Sequence, residues 1–160
     1  MFLLLLSGSA FAQAIDGEPA ATIEAGGAVS REIGGGSSAG GDLAVEFTPV
    51  ENWLEIEAGT AGLFTRHSAE WDTGVLFKKP WTLSRTAEFM VGAGPEWVHT
   101  RERGVSTNAC AGAFALDFMF WPKGQHKVGW FLEPEYDYTF GHEHKRSVGL
   151  SFGLLFGVRR

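Results

Sequence analysis

Apolar and polar positions alternate along most of the chain, and the pattern is clearest in the last segment, 147–158. Its even positions carry large apolar side chains: Val148, Leu150, Phe152, Leu154, Phe156 and Val158. Its odd positions are glycine or serine apart from Leu155. A period of two predicts a β-strand with one apolar face. The average strand has about five or six residues, so this longer, one-sided strand is typical of one that crosses a bilayer at a tilt.

The same alternation recurs in earlier segments, so that the sequence predicts eight strands in all. Their ranges are 21–30, 42–49, 52–64, 71–80, 86–101, 109–121, 127–140 and 147–158. A Gly/Ser-rich loop, 31–41, separates the first two, and Pro95 predicts a bulge or kink because proline cannot donate a ladder hydrogen bond. No segment has a helical period. Because an even number of strands can close, the predicted fold is all-β, an eight-stranded antiparallel up-and-down transmembrane β-barrel whose last strand closes against the weak first one.

Alternation alone also fits a soluble lipocalin-like binding barrel, which has an apolar lumen and a charged exterior. The tryptophans favour the membrane alternative, because all of them fall near predicted strand ends, where an aromatic girdle is expected. This predicted girdle consists of Trp53, Trp71, Trp81, Trp97, Trp121 and Trp130. None of the 13 lysines and arginines lies mid-strand on the apolar face, where a cation would cost ~2–4 kcal/mol in lipid. Small residues on the polar face also suit a narrow interior.

The first residues resemble a secretory signal peptide, with a short apolar core and small residues before the possible cleavage sites. The predicted signal is 1–12, with cleavage after Ala12 or Ala14, and the predicted barrel domain is 21–158. The apolar run is too short for a transmembrane helix. We therefore expect the mature protein to leave the cytoplasm and any membrane crossing to be made by strands.

Composition narrows the possible partners. The chain has 160 residues, 13 basic against 19 acidic ones, and a formal net charge of −6. This balance argues against a nucleic-acid partner. The single cysteine, Cys110, cannot form an internal disulfide.

The segment from Ala21 to the C-terminus resembles a small bacterial outer-membrane β-barrel of the eight-stranded, OmpA-like or Omp25-like kind, by architecture rather than by a motif. The final strand is similar to the C-terminal assembly signal of such proteins, although Gly157 to Arg160 follow its last aromatic residue. The resemblance implies secretion across the inner membrane into the outer membrane of a Gram-negative bacterium. It also implies a monomer without cofactor, in contact with outer-membrane lipid, that uses the barrel-assembly machinery during biogenesis.

The polar face carries many acidic residues and one lysine placed securely inside. We predict a lumen acidic network of Glu46, Glu55, Glu57, Lys78, Glu88, Asp117, Glu133, Glu135 and Asp137. Glu55, Glu57 and Glu88 are expected to flank Lys78 across neighbouring strands. Dense carboxylates repel one another, so the interpretation is either a satisfied structural network or a lumen that binds or weakly passes cations.

Two polar loops offer further chemistry. His67 and Ser68 could serve a rim-active lipid-modifying hydrolase, but no third orienting group is assignable, and a polar loop tip is favoured. His142 and His144 have the spacing of a metal site that His67 and His99 could join, but solvated loop histidines are favoured. No catalytic residue, metal ligand or cofactor is assigned. The expected function is a structural or surface role without enzymatic activity.

Overall fold

The computed structural model describes residues 19–122, 126–140 and 144–158, and these form eight antiparallel strands. The strands are β1 (Ala21–Glu32), β2 (Ser37–Val50), β3 (Leu54–Phe64), β4 (Ser68–Ser84), β5 (Ala87–Glu102), β6 (Val105–Phe120), β7 (Val128–Phe140) and β8 (Arg146–Val158). Each strand pairs with the next, and β8 pairs with β1, which closes the barrel. The predicted eight-stranded up-and-down barrel is confirmed. The predicted signal, 1–12, lies outside the described residues.

Nowhere in the described ranges is there a helix long and apolar enough to cross a membrane. The start of β1 and the end of β8 lie at one end of the barrel, since Ala21 pairs with Val158. We call this the termini end. The opposite end, at which β1 turns into β2, is called the far end.

The segment 31–41 is mostly strand rather than the predicted loop. Arg31 and Glu32 belong to β1, residues from Ser37 onward belong to β2, and only 33–36 turn the chain. Gly34 has a φ of +88° there, a backbone conformation that suits glycine. The prediction was wrong because small residues on both faces give no alternation, while backbone pairing with β1 and β3 still forms the ladder. β4 and β6 also begin several residues before their predicted starts, because the largely polar segments 68–70 and 105–108 pair with neighbouring strands.

Pro95 does not introduce a bulge. The β4–β5 partners Gly74 with Glu96 and Phe77 with Ala93 have the same offset, so no residue is inserted between them. The one register shift of this strand pair lies between Thr82 and Ser84. Proline therefore removes a ladder donor at this position without changing the register.

The two faces of the barrel have opposite polarity. On β8, Phe152, Leu154 and Phe156 face outward and are exposed, whereas Ser151 and Leu155 face inward and are buried. Charged side chains are buried inside, on β1, β2, β3, β4, β6 and β7. The apolar surface is thus outside and the ionic groups are inside, which is the reverse of a lipocalin-like barrel.

The seam between β1 and β8 contains a pair of glycines in close contact. Gly26 is the partner of Gly153. A Cβ atom on Gly26 would lie 2.1 Å from the Phe152 carbonyl oxygen, and one on Gly153 would lie 2.3 Å from the Ala25 carbonyl oxygen. The two backbones therefore approach closely enough to exclude any side chain at these positions.

We predict that Gly153→Ala destabilises the barrel at its seam, because the added methyl group must push the β1 backbone away. The expected loss is about 1–3 kcal/mol in the free energy of unfolding, measured by urea unfolding of protein refolded in detergent micelles. Gly149→Ala is the control on the same strand, since its Cβ would meet nothing closer than 3.6 Å. Equal losses in both variants would contradict the role of the seam.

Candidate functional site

The interior of the barrel contains a buried lysine at mid-height. Lys78 lies on β4 and shares its inward face with Leu76, which is also buried. Phe77, between them, points outward and is exposed. The alternation of β4 thus places an ammonium group in the lumen, where only 1 % of Lys78 is exposed.

Carboxylates from several strands surround this ammonium group. Lys78 Nζ lies 2.9 Å from Asp117 Oδ2, 2.5 Å from Glu133 Oε2 and 4.0 Å from Glu46 Oε1, and it also forms an ion pair with Glu57. All of these side chains are buried. Since Asp117 is on β6 and Glu133 on β7, the lysine side chain reaches across the lumen to the opposite wall.

A further acid, Glu24 on β1, points into the same group. It is 1 % exposed, and among the described residues no hydrogen bond reaches its Oε1 atom. One carboxylate oxygen from each of Glu24, Glu46, Glu57 and Asp117 lies within 4.8 Å of the others. We call these four acids, with Glu133 and Lys78, the Lys78 cluster. Its five carboxylates and one ammonium carry a formal charge of −4 when every group is ionised.

The sequence placed these groups on the polar face but predicted only some of their contacts. Glu55 is the β-ladder partner of Lys78, as expected for neighbouring strands. The ammonium pairs with Glu57, also as expected, and in addition with acids on β6 and β7 that were not expected as its partners. Glu88 lies instead 3.5 Å from His126 Nε2. Alternation gives the face of each strand, but partners across a lumen depend on how the closed sheet curves.

The remaining predicted network residues lie on β7, toward the far end. Asp137 Oδ2 accepts a hydrogen bond from Ser147 Oγ (3.3 Å). Glu135 faces the lumen beside Gly149 of β8. These acids are separate from the ion pairs of Lys78. Glu24, by contrast, was not assigned to the predicted network, and only its pairing beside Ala44 and Leu155 brings it to the cluster.

An apolar layer fills the interior on the side of the termini end. It consists of the buried side chains Met90, Met119, Trp121, Phe131 and Leu155. The inclusion of Trp121 corrects the predicted girdle, because Trp121 is only 2 % exposed. Every second residue of β6 points inward, including Asp117 and Met119, and Trp121 follows at the next inward position just beyond the end of the strand. Its ring contacts His126, with centroids 4.9 Å apart.

The other tryptophans of the predicted girdle are exposed on the outside. They are Trp53, Trp71, Trp81, Trp97 and Trp130. Aromatic contacts support several of them: Trp130 stacks on Phe120 with centroids 4.0 Å apart, and Trp81 on Phe89 at 5.8 Å. These rings form outward aromatic patches on neighbouring strands.

The polar groups at the far end form separate local contacts. Ser68 Oγ lies 2.7 Å from Thr65 Oγ1, and in the part of the chain that the structure describes no hydrogen bond joins it to the His67 imidazole. His99 Nδ1 lies 2.7 Å from Asn108 Oδ1, and His144 Nδ1 lies 3.0 Å from the Tyr138 hydroxyl.

The proposed histidine metal site was also based on His142, which with Glu143 lies outside the described ranges.

Comparison with known proteins shows a likeness of fold. No protein-family model matches the chain, and no curated protein matches it. Among solved structures, Neisserial surface protein A (NspA) superimposes with a TM-score of 0.63 at 12% identity, over 86% of this chain and 95% of that one. The N-terminal β-barrel domain of Pseudomonas aeruginosa OprF gives 0.58 at 12%, over 88% and 99%. Ail, the attachment invasion locus protein of Yersinia pestis, gives 0.55 at 13%, over 89% and 99%. The expected resemblance to small outer-membrane barrels is confirmed as a likeness of fold.

We predict that Lys78→Met strongly destabilises the barrel, because the carboxylates of the cluster lose their shared ammonium. Removing one partner of a buried ion pair costs about 3–5 kcal/mol, and urea unfolding in micelles measures the loss. Adding Asp117→Asn to Lys78→Met removes one of the stranded charges and should recover part of it.

The matched control is the neighbouring Lys79, which lies outside the cluster and donates to the Asn52 carbonyl oxygen. Lys79→Met should cost no more than about 1 kcal/mol. Similar losses of unfolding free energy in the two lysine variants would show that the cluster contributes no more to stability than an exposed lysine does.

Proposed function

We propose that this protein spans the outer membrane of a Gram-negative bacterium as a monomeric barrel with a structural or surface role and no enzymatic activity. The observation that carries the proposal is the apolar outer surface. Large side chains such as Phe47, Phe77 and Phe114 are exposed there, while the Lys78 cluster is buried inside. In water such a surface would be a large unfavourable patch, whereas in a bilayer it contacts lipid chains.

The exposed tryptophans support this placement. Trp53 precedes β3 at the termini end, and Trp81 and Trp130 lie near that end on β4 and β7. Trp71 and Trp97 lie in the halves of their strands nearer the far end. Indole rings prefer the interface between lipid and water. Two levels of exposed tryptophan are therefore what two membrane interfaces require.

Closure and fold likeness support the rest of the proposal. A closed sheet leaves no unpaired edge strand, so that every strand can lie in lipid and the barrel needs no partner subunit.

NspA is by its name a surface protein, and Ail an attachment invasion locus protein. The far-end turns 33–36, 65–67 and 103–104 are short, which favours a compact structural surface over an extended adhesin. Such a barrel would reach the membrane after export, with the barrel-assembly machinery as its partner.

A basic residue on the outward face tests the membrane placement. Phe114 lies near the middle of β6 and is exposed. Phe114→Arg should lower the free energy of unfolding in lipid vesicles by ~2–4 kcal/mol, because the cation would lie at mid-bilayer. Val105→Arg, at the first residue of β6, is the control and should cost only ~0–1 kcal/mol near the interface. Free solubility without detergent, or equally small costs at both positions, would overturn the proposal.

Binding of cations is a second candidate function, favoured by the acidic lumen. The filled interior argues for cation binding over passage, since the Lys78 cluster and the apolar layer occupy its cross-section. In planar bilayers we predict no regular single-channel steps from the folded protein. Cation-selective steps, reduced by Glu46→Gln, would establish passage instead, and anion-selective steps would contradict any role of the acidic lumen.

A further inference from the structure

Glu24 has an arrangement that the ion pairs of Lys78 do not explain. Its side chain is 99 % buried, its Oε1 atom receives no hydrogen bond from any described residue, and it points at three other carboxylates. A buried polar group without a partner is costly, and a buried charge more so. We infer that Glu24, Glu46, Glu57 and Asp117 form a binding site for a divalent cation, with Ca²⁺ as the best-fitting ion.

The spacing of the oxygens suits this ion. One oxygen of each acid lies within 4.8 Å of the others. Ca²⁺ takes oxygen ligands at about 2.3–2.6 Å, so that ligands on opposite sides of the ion lie about 4.6–5.2 Å apart. Mg²⁺ requires shorter distances of about 2.0–2.1 Å in near-ideal octahedra and retains several waters. A set made only of carboxylates suits hard cations and does not suit metals that prefer thiolate or imidazole ligands.

Lys78 pairs with some oxygens of these acids but leaves other buried oxygens without a hydrogen-bond partner. Asp117 gives its Oδ2 atom to Lys78 at 2.9 Å, while its buried Oδ1 atom has no hydrogen-bond partner among the described residues. Glu46 Oε1 is 4.0 Å from the ammonium and also accepts no hydrogen bond there. The lysine thus pairs with Glu57 and Asp117, while Glu24 Oε1 and Asp117 Oδ1 have no hydrogen-bond partner among the described residues. A divalent cation would reduce the formal charge of the Lys78 cluster from −4 to −2.

The site borders an opening at the termini end. A cavity there is lined by Glu46, Glu55, Glu88 and His126, together with the edge of the apolar layer at Met119 and Trp121. Because Glu46 belongs both to this cavity and to the four proposed ligands, a cation in the cavity lies next to one of the ligands. The inference concerns the interior and goes beyond the proposed membrane role, since it does not depend on what surrounds the barrel.

The test is calcium titration of the full-length protein refolded in detergent micelles and freed of metal with a chelator. Isothermal calorimetry should show about one Ca²⁺ per chain, with weaker binding of Mg²⁺. Glu24→Gln, which keeps the shape and removes one ligand charge, should weaken Ca²⁺ binding at least about tenfold. Glu46→Gln provides a second variant with the same expected direction. Glu135→Gln is the control, because this lumen acid is not among the four ligands.

Stability provides a readout that distinguishes a ligand from a structural residue. Ca²⁺ should raise the urea midpoint of the wild type and of Glu135→Gln but not that of Glu24→Gln. Without metal, Glu24→Gln should be as stable as the wild type or more so, because one repelling charge is gone. Absence of Ca²⁺ binding by a folded, heat-modifiable barrel would overturn the inference while leaving the membrane role intact. Binding that survives Glu24→Gln, or is lost equally in Glu135→Gln, would indicate diffuse attraction to an acidic lumen and would also overturn it.

Discussion

The narrow interior of an eight-stranded barrel is the constraint on which the rest of this structure depends. Eight strands leave room for side chains and little else, so any charged groups on the inner face must meet one another. The chain places acids on β1, β2, β3, β6 and β7 against a lysine on β4. Gly92 makes space for a long side chain, since a Cβ atom there would lie 2.6 Å from Lys78 Cγ, and the glycine pair of the β1–β8 seam lets two backbones approach closely. The narrow barrel therefore explains both the contacts between charged side chains inside it and the close approach of backbones at its seam.

Much of the fold could be predicted from the sequence because alternation is strong wherever one strand face is apolar and exposed and the other lines the interior. Phe152, Leu154 and Phe156 mark their strand without ambiguity, and the expected closure of β8 on β1 is observed. The prediction failed at 37–41, where glycine and serine occupy both faces and polarity carries no information. It also failed at Trp121, where residue type suggested an interface, although the parity of β6 points the ring inward. Residue type was the weaker indicator at a strand end.

The site was less predictable than the fold. The polar face of each strand was assigned correctly for Lys78, Glu57 and Asp117, whose side chains are all buried. The contact between Lys78 and Glu57 was also expected, but those with Asp117 and Glu133 were not, because a lysine side chain that crosses the lumen can pair with acids on strands that are not its neighbours. Glu24 shows the limit most clearly. It lies on the weakest strand pattern of the chain, and its proximity to Asp117 exists only when the sheet curves into a cylinder.

The Lys78 cluster also has a consequence for the order of folding. Neighbouring hairpins of this meander can form from local contacts, but Lys78 is 39 residues from Asp117 and 55 from Glu133. Glu24 joins the group from the first strand of the chain. The complete cluster therefore forms only after the first and last strands have met, since an open sheet would hold its acids apart. These charges therefore lose their water only when the barrel closes. A partly open barrel keeps the local pairing of its hairpins but lacks the electrostatic contacts between distant strands, so closure is expected to be cooperative.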